Sequence, residues 1–165
     1  MTTYLMVSTP LFKKVKLHSE ITFYSLVAKK VSKKDAEVDW EKKTAEEVFN
    51  LFRALNHIHQ VTTYWFCQPL KLLHMKLDDI TGFNPINKAA IAKLNLTNPI
   101  FPGLVEFSSK RSVLRVQCKD GRWISVSTIL MPAKKNGKKC LTAVEFYNGF
   151  MSKIENTLDR RFSSR

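Results

Sequence analysis

The stretch "SVLRVQCKDGRWISVSTIL", from Ser112 to Leu130, keeps its apolar residues together in only one of two short hairpins. Alternation places Leu114, Val116 and Cys118 on one face of a first strand. It places Ile124, Val126 and Leu130 on one face of a second. A two-residue Asp120-Gly121 turn would pair Cys118 with Trp123 and send those two sets to opposite faces. A three-residue loop, Lys119-Asp120-Gly121, pairs Val116 with Ile124 and Leu114 with Val126. The longer loop is therefore expected, with Gly121 in the left-handed conformation. Arg115, Gln117, Trp123, Ser125 and Ser127 then point away from that core.

The rest of the chain supplies partners for this hairpin. "VTTYWFC" and "LKLLHMKL" read as two strands around Gln68-Pro69, and Pro102-Gly103 is a turn that launches "LVEF". Ahead of them, Thr44 and Glu47 have capping-box spacing. Val48, Leu51, Phe52 and Leu55 follow at helical spacing, which predicts a helix ending near Asn56. A polar stretch from Asp78 to Pro99 contains "NKAAIAKL", compatible with a short helix. Near the end, Thr142 and Glu145 form a second capping box, with Leu141 and Phe146 placed as a hydrophobic staple and Gly149 placed to stop the helix. These elements predict a mainly β fold with flanking helices, an OB-like five-stranded barrel. The expected organisation is a basic linker or transit-like segment over 1–34, the barrel over 35–151, and a basic polar tail over 152–165.

Charge narrows the partners. The 165 residues carry 27 basic and 14 acidic side chains, a net of +13. Residues 1–34 hold seven lysines against Glu20, and residues 104–140 hold nine basic residues against Glu106 and Asp120. The remainder is neutral. Two basic zones on a neutral frame point to a polyanion, although a basic tail plus a solvated loop would have the same composition. Arg115 and Trp123 share the outward face of the hairpin, offering a cation beside a stacking plane. Lys110 and Arg111 flank one end of it, Arg122 the other, and the loop "AKKNGKK" adds Lys134, Lys135, Lys138 and Lys139. These nine are the candidate RNA-binding residues. Trp123 packed under a helix would instead leave a conventional core.

Catalytic chemistry is thin. His57 and His59 alternate without further ligands at useful spacing, so a metal site is not expected. Cys67, Cys118 and Cys140 form no CxxC pair, and an odd count argues against a disulfide framework. Five glycines make no phosphate loop. No apolar run approaches the roughly 20 residues of a membrane span, so no membrane partner is expected.

One longer stretch has a family likeness. "AKKVSKKDAEVDWEKKTAEEVFNLFRAL" resembles the start of the C-terminal domain of methionyl-tRNA formyltransferases: Ala28, Lys30 and Val31, then Asp39-Trp40, then Ala45-Glu46-Glu47, then Arg53-Ala54. Pro102-Gly103, "CKDGRWISV" and "LTAVEFYNGF" stand at the family's later landmarks in order, with a flavour closest to animal mitochondrial members. Lys29 replaces a usual proline, Asn56 to Gln60 replace a Pro-rich turn, and 78–101 is longer than the bacterial pattern. The resemblance implies a barrel that holds initiator methionyl-tRNA against a Rossmann-like catalytic domain, whose formyl donor is 10-formyltetrahydrofolate. About 27 residues precede the match, so that catalytic domain, with its Asn, His and Asp set, is expected to be absent here. The chain is expected to need no cofactor, to bind tRNA without transferring formyl groups, and to act in mitochondria, with cytoplasm as the alternative. A formyltransferase catalytic domain in cis or in trans is the other expected partner. The alternative function is an interaction module docking onto a separately encoded formyltransferase or folate-enzyme domain.

Overall fold

The hairpin forms in the register its alternation dictates. Leu114 faces Val126, Val116 faces Ile124, and Gly121 has φ +75° in the three-residue loop. A computed structural model describes residues 30–78, 99–132 and 137–164. The chain divides into two units, Met1–Lys30 and Val31–Arg165, and the second carries everything described below. The short helix expected at "NKAAIAKL" lies outside the described residues.

Six antiparallel strands make one curled sheet: β1 Thr62–Trp65, β2 Gln68–Asp78, β3 Val105–Ser108, β4 Val113–Gln117, β5 Trp123–Pro132 and β6 Lys138–Thr142. Their order is β1-β2-β5-β4-β3, and β6 also pairs with β5. The expected mainly β fold with flanking helices is present, with one strand more than expected. β4 lies along the first half of β5, and β6 takes over the same edge from Thr128 onward.

At that exchange both long strands turn over. On the core face, β2 buries Leu70 and Leu72, then Met75, and β5 buries Ile124 and Val126, then Ile129 and Met131. Each strand spends one extra residue at the same level, so the pairing continues unshifted from Leu73↔Thr128 to Met75↔Val126. His74, with φ +53°, takes up the bend in β2. The expectation of Leu130 on the core face is thereby corrected. Ile129 is buried there and Leu130 lies on the opposite face.

The first hairpin also differs from expectation. Its turn is Phe66-Cys67, both at positive φ as a two-residue hairpin loop demands, and Gln68-Pro69 belong to β2. Pro69 sits opposite Tyr64, whose own N–H and C=O bond to Ser163 on its other side. The proline ring therefore occupies a position where no ladder donor is needed.

Helix α1, Ala45–Leu55, starts as expected. Thr44 Oγ1 accepts from the Glu47 N–H, and Glu47 Oε2 accepts from the Thr44 N–H at 2.8 Å. Asp120, at the tip of the β4–β5 loop, adds its carboxylate 3.3 Å from the Ala45 N–H, which fixes the helix start to the hairpin. Val48 and Leu55 are buried, with Leu51 and Phe52 packed beside them. Thr142 and Glu145 cap α2, Ala143–Phe146, in the same way, and Leu141 and Phe146 join the core. Gly149 does not stop this helix. The chain continues through it as a wider turn, Tyr147–Met151, which brings Met151 back into the core.

The C-terminal segment, expected to be a polar tail, is built into the sheet. Leu104, just before β3, bridges to Arg161, and Tyr64 in β1 bridges to Ser163. A single strap thus bonds both edge strands. Between those bridges Phe162 is 2% exposed, with ring centroids 5.6 Å from Trp65 and 6.3 Å from both Trp40 and Phe146. Gly103 (φ +81°) donates to Gln117 and accepts from the Phe162 N–H, and a Cβ there would collide with the Phe162 carbonyl. One aromatic among polar neighbours left little periodic signal.

Two outcomes are expected. Phe162→Ala should cost about 3–5 kcal/mol in a urea titration, the range for truncating a buried aromatic. The carboxylates of Glu47 and Glu145 are held below the ordinary glutamate value, first by the backbone N–H each accepts and then by the threonine hydroxyl. Their contribution is complete above the ordinary value of 4.5 and is lost as pH falls through the depressed one. A Glu47→Gln, Glu145→Gln double variant should therefore lose less stability than the parent between about pH 5 and pH 3.

Candidate nucleic-acid interface

The outward face of the hairpin does not meet solvent. Arg115 is 7% exposed and Trp123 1%, with the guanidinium 4.6 Å from the indole centroid. The cation and the plane do stack, but against each other. Asp78, which faces Trp123 across the β2–β5 ladder, accepts from Arg115 Nε at 2.7 Å, and Glu106 on β3 lies 3.4 Å from Arg115 Nη1. Both carboxylates are buried, so Arg115 is the interior counter-charge of two acids that register brings to its sides. Arg115 and Trp123 are thus removed from the candidate RNA face. Alternation showed which face they share, and it carried no information about what covers that face.

The remaining candidates divide by what they touch. Arg111 donates to Asp78 at 2.9 Å while keeping 46% of its side chain exposed. Arg122 lies 3.7 Å from Glu46 of α1. Lys110, Lys138 and Lys139 are exposed. Lys134 and Lys135 lie outside the described residues. Lys110-Arg111 precede β4 and Arg122 follows it, so these groups stand at opposite ends of a five-residue strand, about 16 Å apart. The seven candidates among the described residues are not gathered into one patch.

Sequence reasoning missed Lys71. It lies half-buried in β2, donates to Gln60 Oε1 at 2.8 Å, and has its pKa lowered by burial first and by Lys138 and Lys33 next. Its signal was faint, because a lysine inside an alternating strand reads as a solvated outer position.

Among the described residues no three His, Cys, Asp or Glu side chains are grouped to hold a metal. Cys67 and Cys140 are exposed free thiols, while burial pushes the Cys118 thiol up to about 12, far from a nucleophile's range. No described helix is long and apolar enough to cross a membrane.

Comparison with known proteins fits this frame. Residues 30–151 match the family described as "Formyl transferase, C-terminal domain". The chain belongs to that formyl transferase C-terminal domain family. Among its relatives, the mitochondrial methionyl-tRNA formyltransferase of Homo sapiens is 34% identical over 125 residues, covering 75% of this chain and 28% of that protein. A methionyl-tRNA formyltransferase of Natranaerobius thermophilus is 29% identical over 124 residues, covering 74% of this chain and 33% of that protein. The chain thus spans about a third or less of these relatives. In fold it is similar to HypX from Aquifex aeolicus, solved in complex with tetrahydrofolic acid, with TM-score 0.52 over 76% of this chain and 18% of that one, at 11% identity.

One landmark behind the family likeness, Trp40, is structural in this chain. Trp40 is buried and donates to Thr63 Oγ1 at 2.9 Å, and Thr63 in turn donates to the Ser163 carbonyl. Arg115→Ala should lower stability by about 3–5 kcal/mol, because it removes the buried cation that Asp78 and Glu106 share. Lys110→Ala should stay within about 0.5 kcal/mol of the parent in the same urea titration.

Proposed function

We propose that this chain is a tRNA-holding C-terminal domain of a mitochondrial-type methionyl-tRNA formyltransferase. The observation that carries the reading is the family match over 30–151, joined to relatives that are themselves methionyl-tRNA formyltransferases. A net charge of +13 and exposed lysines at 110, 138 and 139 support a polyanionic partner. In this reading the curled sheet is an OB-like scaffold and its partner is initiator methionyl-tRNA. A formyltransferase catalytic domain, in cis or in trans, binds 10-formyltetrahydrofolate and performs the transfer. The residues of this chain hold the tRNA and take no chemical step. Four of the relatives are mitochondrial proteins, which supports that compartment.

A second reading, an interaction module that docks onto a separately encoded formyltransferase or folate-enzyme domain, is favoured by Phe66 and Phe150. Phe66 is 63% exposed on the β1–β2 turn, packed edge-on against Trp65, and Phe150 is 39% exposed, stacked on Phe146. Binding of tRNA by the partner-free chain at physiological salt separates the two.

The measurement is tRNA affinity against salt concentration. Alanine at Lys134, Lys135, Lys138 and Lys139 should flatten the slope of log affinity by up to about 0.7–0.9 for each phosphate that is no longer neutralised. An unchanged slope would remove these lysines from the interface, and formyl transfer by the chain alone, above buffer background, would contradict the division of labour.

A further inference from the structure

Beyond the level where β2 and β5 turn over, the outer side of the sheet holds a groove of about 380 Å³. The register explains its lining. Thr62, Lys71 and Leu130 lie in one cross-strand row, and Pro132 faces Lys138 at the end of β5. Lys71 and Lys138 therefore stand over a floor made by Pro69, Leu130 and Pro132.

Neither of these lysines makes an ion pair among the described residues. Lys71 donates to the neutral Gln60 side-chain carbonyl, and the Glu37 carboxylate accepts from the Tyr64 hydroxyl at 3.2 Å. Burial first, and then the charges of Lys138 and Lys33, lower the Lys71 pKa. Gathering like charges around a half-buried lysine is unfavourable until an anion joins them. The apolar floor beside the cations would suit the sugar attached to a phosphate better than a bare ion.

We infer that this groove is a phosphate-binding site formed by Lys71 and Lys138, and that its occupant is a backbone phosphodiester of RNA. The identity of the occupant rests on the tRNA-binding reading; the phosphate chemistry rests on the groove alone.

The test uses the full chain, with lysine acylation read by mass spectrometry alone, with inorganic phosphate at millimolar concentration, and with tRNA. Labelling of Lys71 should fall about threefold or more with tRNA, while that of exposed Lys153 changes little. Lys71→Met, which keeps the apolar stem, should weaken tRNA binding roughly fivefold and reduce the salt slope by about 0.7–0.9, and Lys71→Arg should restore both. If tRNA binds with Lys71 unprotected and Lys71→Met silent, the groove assignment is overturned and the tRNA reading stands. If tRNA does not bind but inorganic phosphate protects Lys71, the phosphate site stands and the RNA reading falls. Protection by neither overturns the site.

Discussion

The side chain of Phe162 lies among Trp40, Trp65 and Phe146 while the backbone on either side of it bonds to both edges of the sheet. Each edge strand would otherwise present unpaired N–H and C=O groups, a standing invitation to other chains. Much of the molecule is arranged around that seat. Gly103 lacks a side chain so that the strap can approach, and Trp40 and Thr63 form a hydrogen-bonded path to the Ser163 carbonyl. Pro69 stands across from a residue whose backbone is committed to the strap. The family likeness ends at residue 151, so the last piece of this core lies outside the likeness.

Where local chemistry and periodicity pointed the same way, the sequence was legible. The hairpin loop length followed from the requirement that Val116 and Ile124 share a face, and both capping boxes formed at the expected threonines. The misreadings have tertiary causes. Leu130 gave up its place to Ile129 because β2 and β5 turn over together, and only the Leu72-Leu73 doublet hinted at it. The turn fell at Phe66-Cys67 instead of beside the proline, because positive φ was imposed by two-residue closure on side chains that seldom adopt it. Phe162 was invisible because one aromatic in a polar run has no period.

The candidate site shows how far net charge can mislead. Of the basic residues in the 104–140 window, Arg115 is consumed inside the fold and Arg111 and Arg122 each face a carboxylate. The lysines that remain outward carry the field a polyanion would meet. A cation in that window was informative about a partner only once its neighbours were known, and Lys71, outside the window, has a more distinctive setting than any within it.

The strap also sets the order in which this domain can assemble. The bond from Thr63 to Ser163 spans 100 residues, whereas the β1–β2 and β4–β5 hairpins close over two and three. Local pairings form quickly, and a contact of such long range forms late, after the chain entropy of a large loop has been given up. Until then β1 and β3 are bare, and the intermediate is the species most exposed to pairing with its own copies. Concentration during refolding, more than the stability of the finished sheet, should therefore govern how much native protein is recovered.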